Sequence, residues 1–458
     1  MLRRFTIGMV CLFAVYGLSA QTNPVITSFL QNTTETGSYY MVGNSTAISN
    51  GILVNCQQVA YSNDWVYVST QGVPAYPTGP FQDGNPSQAS AQNAIYQLPL
   101  NPTENIGNPS ATTPGNIGIF INGVSLFDWR DGVAWNPLTN ALCGGPGNPM
   151  CPGGPMAQND WNRDAIPAER VGFDCSKGHP AMGNYHHHQN PSAFKLDLTV
   201  VSEVCNLYDA DGLYTLDSSA HSPLIGFAYD GFPIYGGYGY ANADGTGGIT
   251  RMKSSYQLRN ITSRTTAPDG SAVDTGPDVD GTYFLGYFRE DYEFVAHPNE
   301  EDYLDIHNGR FCITPEYPNG IYCYFATVDE NWNSAYPYVV GPTFYGNVVG
   351  GNTNAITEPT TTYTPTTALD PYTFSQLDIS VFPNPASDLI AVQIGDLVKE
   401  DMEVELFDIT GRLIEAKTIH KGSTIAYFDT QTLYEGMYMV KISNGQLNKV
   451  RKILVKRN

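Results

Sequence analysis

The chain has 458 residues and a formal charge of −21, from 44 Asp and Glu against 23 Lys and Arg. Residues 21–377 carry 11 basic against 33 acidic residues (−22), whereas residues 378–458 carry 10 against 11 (−1). A body this acidic repels phosphate backbones and anionic lipid, which argues against nucleic-acid and membrane partners, and it attracts cations, metals included.

Arg3 and Arg4 lead into an apolar run from Phe5 to Leu18 that closes on Leu18-Ser19-Ala20. That is the pattern of a signal peptide over residues 1–20, cut before Gln21. The run is too short for a membrane span, and no later stretch is apolar for long enough, so the mature protein is expected to be exported and soluble. Export permits disulfides. Seven cysteines remain once Cys11 leaves, and seven is odd. The proposed connectivity is Cys143 with Cys151, Cys312 with Cys323 and Cys175 with Cys205, leaving Cys56 over.

Residues 21–350 are rich in Gly, Pro, Asn and Tyr. They hold strand-like runs at Gly51–Val54, Trp65–Ser69, Ile117–Ile121, Leu196–Val201 and Tyr322–Thr327, set between turn clusters. Residues 351–377, rich in Thr, Asn and Pro, read as a linker. From 378 to 458, about seven short runs with alternating patterning suggest a β-sandwich, with Thr410-Gly411 and Asn444-Gly445 marking turns. The expected fold is mainly β: a large, loop-heavy body followed by a small Ig-like sandwich.

Three stretches of the terminal unit, Val381-Phe382-Pro383-Asn384-Pro385-Ala386, Leu406–Arg412 and Leu433–Tyr438, occur in order ahead of a basic tail. In these the unit resembles the type A C-terminal sorting domain of type IX secretion. The resemblance implies that residues 378–458 are an address read by the type IX secretion machinery. It also implies export through the periplasm and outer membrane, and a tag usually removed to leave a secreted or surface-bound cargo.

The chemistry of the body centres on His179 to Phe194, which holds four of the eight histidines. If Tyr185–His188 is extended, His186 and His188 share a face. His179, returning across the Pro180–Gly183 turn, supplies a third imidazole. Three nitrogens with an open position suit a catalytic zinc and also suit copper. A solvated loop, or imidazoles bonded to one another, is the alternative.

Five blocks between roughly residues 115 and 345 resemble the YHYH domain family: Gly178-His179-Pro180, Gly183–His188, Ser222–Gly226, Asp230–Gly236 and Leu304–Arg310. The family name records a motif and implies no activity. His307 falls in one of these blocks beside Asp305 and Arg310, and is taken as a further candidate ligand. Two departures stand out. His187 replaces the second Tyr of the tetrapeptide, and the late tetrapeptide is Tyr322-Cys323-Tyr324-Phe325, without histidine. Cys323 is a possible soft ligand, with pairing to Cys312 preferred.

Tyr229–Tyr240 reads as core packing, with a ligand cleft lined by Tyr235, Tyr238 and Tyr240 as the alternative. Asp230 is a candidate acceptor for a ligand imidazole. His221 and His297 read as loop residues, and the Asp209–Gly212 and Asp278–Gly281 fragments as turns rather than calcium loops. No nucleophile elbow or phosphate loop is present. The expected function is a transition-metal protein, zinc or copper, with metal-dependent hydrolysis as its conditional activity. The alternative is a non-catalytic adhesion or glycan-binding protein.

Overall fold

The computed structural model describes residues 23–44, 46–81, 88–145, 147–154, 159–192, 212–214, 216–365, 379–394, 401–409, 411–420, 423–443 and 448–457. The expected signal peptide, the Leu196–Val201 strand, Cys205 and Asp209–Asp211 lie outside these residues. Two units divide the chain, Met1–Tyr363 and Thr364–Asn458, and both are built from strands.

An eight-stranded mixed sheet organises the first unit. In chain order its strands are β1 (Asn116–Phe120), β2 (Ser125–Phe127), β3 (His179–Ala181), β4 (Asn184–His187), β5 (Leu224–Ala228), β6 (Pro233–Tyr235), β7 (Gly309–Cys312) and β8 (Ile321–Phe325). Across the sheet they run β3-β4-β2-β1-β5-β6-β8-β7. Successive strands form antiparallel pairs, and β4 with β2 and β6 with β8 pair in parallel. The central strand β5, Leu-Ile-Gly-Phe-Ala, is buried along its whole length. Such an unbroken apolar run is what a strand covered on both faces requires.

The register of this sheet is two-fold. At its centre Ile119 pairs with Phe227, flanked by Phe120 with Gly226 and Gly118 with Ala228. Leu126 pairs with Gly118 as Ile234 pairs with Gly226. Further out, His187 pairs with Leu126 as Tyr324 pairs with Ile234, and His186 pairs with His179 as Cys323 pairs with Arg310. The first tetrapeptide, on β4, and the late one, on β8, are therefore symmetry mates. The loops leading into them repeat as well. Asp174 Oδ1 accepts the N–H groups of Ser176 and Gly178, and its Oδ2 accepts Tyr185 OH; Asp305 Oδ1 accepts the N–H groups of His307 and Gly309 and also Tyr322 OH. Lys177 and Asn308 hold matching left-handed φ values of 62° and 66°.

A second, five-stranded sheet has the order Gly351–Thr353, Ala94–Pro99, Trp65–Thr70, Cys56–Tyr61, Thr361–Tyr363. Its two edges come from the segment expected to be a linker from residue 351, so the body extends to Tyr363. Short polar Thr- and Asn-rich runs bury little, which is what an edge strand tolerates.

Cys143 and Cys151 are bridged as expected, and Cys175 is also disulfide-bonded. Cys56, Cys312 and Cys323 are buried free thiols, which corrects the expected Cys312–Cys323 bridge. Cys312 lies opposite Ile321 and Cys323 opposite Arg310. The two are thus diagonal neighbours on one face of the hairpin, their thiols hydrogen-bonded rather than bridged. A hydrogen bond from Cys323 lowers the Cys312 thiol to about 7, against its burial and helped by Arg310.

Several carboxyls are buried without a matching cation. Burial pushes Asp164 up to about 8 and Asp174 up to about 7, against the hydrogen bonds each accepts. A carboxyl that binds its proton more tightly folded than unfolded loses stability as pH rises towards its folded value. Between pH 6.5 and 8.5 both lose stability as pH rises, and so does His188, whose imidazole is raised. The Cys312 thiol, lowered to about 7, is a single group working the other way, and the histidines with lowered values titrate below the window. Chelator-treated protein is therefore expected to melt at a higher temperature at pH 6.5 than at pH 8.5. Asp164→Asn, which keeps an oxygen for the Ile166 N–H, flattens that slope. An unchanged slope in the variant would remove Asp164 from the account.

The second unit is a sandwich. Ile379–Phe382, Leu389–Ile394 and Ile425–Asp429 form one sheet, and Leu413–Ile419, Met402–Asp408, Gly436–Ser443 and Asn448–Val455 form the other. Alternating residues of both, among them Ile390, Val392, Phe428, Val404, Leu406, Val440 and Ile442, share one core. The seven strands expected from the alternation are all present.

Candidate metal centre

A tight hairpin builds the site. Between β3 and β4 only Met182 and Gly183 intervene, both with positive φ (49° and 87°). Two such residues give the turn whose twist matches antiparallel strands. A Cβ on Gly183 would stand 2.1 Å from Ser90 Oγ. The hairpin sets His179 directly opposite His186, and two residues further along the chain His188 returns to the same face. All three rings are buried, at 7%, 1% and 4% exposure.

Their nitrogens converge. His186 Nε2 lies 3.1 Å from His188 Nε2, and His179 Nε2 lies 3.4 Å from His188 Nε2. The outer nitrogens fix the tautomers of two rings. His186 Nδ1 is 2.9 Å from the Asn184 carbonyl oxygen and His188 Nδ1 is 2.5 Å from that of Asp128. A carbonyl can only accept, so each Nδ1 donates and each neutral ring turns a lone pair inward from Nε2. Two lone pairs 3.1 Å apart repel unless a proton or cation lies between them. Tetrahedral ligands at about 2.0–2.1 Å from zinc are themselves about 3.3 Å apart, so this spacing fits a metal. Phe127 stacks on His186 at 3.8 Å, and Phe173 meets His179 edge-on at 4.9 Å. These rings hold the imidazoles in place.

Sequence reasoning missed a fourth member, Glu169. It ends the helix α1 (Ala165–Glu169), which Asp164 caps by accepting the Ile166 N–H. Ala165 N–H donates to the Trp129 carbonyl, which docks that helix beside β2. Glu169 Oε2 lies 3.3 Å from the Nε2 atoms of both His179 and His188. It is buried yet aligned as a hydrogen-bond partner with neither. A carboxylate oxygen so placed suits ligands grouped around a common cation. Burial alone would raise the Glu169 carboxyl, but the two imidazoles outweigh it and hold it below the usual carboxylate range. Burial and the charges on its neighbours push His186 well down; Glu169 and the Asp128 carbonyl overcome burial to raise His188. No pattern around Glu169 in the sequence separates it from other acidic residues.

The opposite face of β4 anchors the strand. Tyr185 OH donates to Asp174, and His187 Nε2 is 2.8 Å from Tyr76 OH. His187 is held down at about 3, mainly by burial. Gly178 lies under these rings, where a Cβ would come within 2.4 Å of the Tyr185 phenol. Gly178→Ala is expected to cost about 1–3 kcal/mol, read as a drop of several degrees in Tm. An unchanged Tm would mean the packing at Tyr185 is looser than described.

Residues 95–337 match the family described as YHYH protein. The chain belongs to the YHYH family. Its C-terminal residues 380–456 match the secretion system C-terminal sorting domain, so this YHYH protein is exported to the cell surface or exterior. Among its described residues no helix is long and apolar enough to cross a membrane. A comparison with curated proteins gives no match. The family region starts near the Ala94–Pro99 strand, earlier than the expected residue 115, and so takes in part of the second sheet.

Among the described residues of this YHYH protein, His179, His186 and His188 are grouped closely enough to share an ion, and His307 is not among them. Its Nδ1 lies 2.7 Å from Thr343 Oγ1, in the half of the sheet that carries β7. Asp230 serves no imidazole either: it accepts Tyr324 OH and the Gly346 N–H. Phe232, Ile234, Tyr235 and Tyr238 are buried, in keeping with core packing. His221 is wedged against Tyr235 and Tyr240, and His297 stacks on Tyr303. Asp280 accepts the N–H groups of Thr282 and Tyr283, as a turn aspartate does.

The two-fold register explains the late tetrapeptide. Four strands separate β8 from β4, so its residues belong to the mate of the histidine site. There Arg310, Cys323 and Phe325 stand at the positions of His179, His186 and His188. The Arg310 guanidinium lies over the Phe325 ring at 5.9 Å and donates to the carbonyls of Tyr240, Ala241 and Glu301. A side-chain cation occupies the second half, whereas the first gathers three imidazoles and a carboxylate.

Proposed function

We propose that this exported protein holds one transition-metal ion, zinc or copper, through the Nε2 atoms of His179, His186 and His188. The observation that carries this reading is the convergence of those nitrogens with two Nδ1 atoms committed to backbone carbonyls. Glu169 balances the ion's charge from the His179–His188 edge. The mate site carries its own guanidinium, so one ion per chain is expected rather than two. Three neutral imidazoles leave a position for water, and a bound zinc would lower that water's pKa for hydrolysis. Glu169 is the carboxylate placed to take its proton. The terminal domain serves as the address for the type IX secretion machinery. Adhesion through a Tyr-rich face has less support, because Tyr235 and Tyr238 point into the core.

Elemental analysis of protein from metal-replete medium tests the reading. About one equivalent of zinc or copper is expected, and a metal-free preparation would overturn it. If the ion is hydrolytic zinc, turnover is lost on chelation and restored by zinc.

A further inference from the structure

Next to the histidine cluster lies a cavity of about 270 Å³. It shares two walls with the site: Phe173, whose ring meets His179 and His188, and Gln189, which follows His188 in the chain. The same turn of chain supplies both places, since Glu169 faces the imidazoles and Arg170 lines the cavity. Arg170 is exposed and has no hydrogen-bond or ion-pair partner among the described residues. Gln189 is only 2% exposed, and its side-chain amide likewise has no partner among them. The amide keeps a sliver of solvent contact and no protein partner among those residues, so a ligand that bonds it would replace little water. As part of the same lining as Arg170, it has the place of a ligand contact. Phe284 and Tyr292 add aromatic walls, and Ser334 Oγ is a further buried oxygen without a partner.

We propose that this cavity is the substrate subsite of the metal centre, and that it takes a small molecule carrying an anionic oxygen group on an apolar, ring-sized body. The inference rests on the metal reading for its link to chemistry. In a protein of charge −21, the exposed Arg170 guanidinium on the cavity lining is the cation an anion would meet, and its planar fork matches a carboxylate or phosphate. The Asp329 carboxylate on the same lining is taken up by the N–H groups of Asn331 and Asn333 and the Asn333 amide. Gln189 donates its N–H to the same group. The volume falls just below the roughly 300–1,000 Å³ of drug-sized pockets, which limits the ligand to about one ring and its substituent. Bound there, the ligand's anionic end lies at Arg170 and its body runs along Phe173 towards the imidazoles.

Calorimetric titration of the full, zinc-loaded chain with benzoate, phenyl phosphate and phenol tests this. At least one of the two anions is expected to bind at least tenfold more tightly than phenol, and which one does identifies the head group. Arg170→Gln is expected to weaken that anion at least tenfold with zinc content unchanged, and Phe284→Ala to weaken it severalfold. Equal binding of phenol, unchanged affinity in Arg170→Gln, or no binding of any probe would overturn the subsite. The two readings fail separately. Arg170-dependent anion binding in a chain that takes up no zinc removes the metal and keeps the subsite; zinc uptake without anion binding does the reverse.

Discussion

Replacing both His186 and His188 by Ala is expected to take the metal content from about one ion per chain to background. The fold should survive, because His187 and Tyr185, on the other face of β4, keep their bonds to Tyr76 and Asp174. Two of three converging nitrogens are removed, and His179 with Glu169 cannot enclose a cation. Metal binding to the folded state alone adds about 2.7 kcal/mol of stability at a hundredfold excess over Kd. The parent protein should therefore melt several degrees higher with zinc than with chelator, and the double variant at one temperature in both. Elemental analysis and paired thermal melts read the two effects. Equal metal content in parent and variant would place any bound ion elsewhere.

Glu169→Gln is expected to weaken metal affinity about 10–100-fold, the range seen when groups supporting metal ligands are removed. The substitution keeps the side chain's shape and deletes a charge that lies 3.3 Å from two imidazole nitrogens. At saturating metal the variant should carry the parent's stoichiometry, so the loss appears in competition with a chelator of known affinity rather than in metal content. Any metal-dependent hydrolysis should fall more steeply than affinity, because the proton acceptor goes with the charge. Parent-like affinity would mean that Glu169 does not sense the ion.

Much of the site was legible because a hairpin is a local structure. The two-residue period of a strand placed His186 and His188 together, and the short Pro180–Gly183 turn returned His179. Glu169 and Phe173 were hidden for the opposite reason. They reach the cluster only because Asp164 caps α1 and the Trp129 carbonyl docks it, and nothing near Glu169 in the chain marks that destination. His307 was misplaced by the same limit, since a shared block of residues says nothing about which half of the sheet it enters. The diagonal placement of Cys312 and Cys323 depends on register, which a one-residue slip would change.

The sequence by itself determined an acidic β-rich body, a terminal sandwich with its address motifs, and a histidine pair on one strand face. These follow from composition and from periodicities spanning a few residues. Tertiary structure decided that Glu169 joins the imidazoles, that residues 351–363 finish a sheet, and that β4 and β8 are mates of which only the first gathers imidazoles. The reason is physical: which distant carboxylate, guanidinium or strand edge meets a given face depends on packing and register across the whole sheet, and neither is written in any one segment.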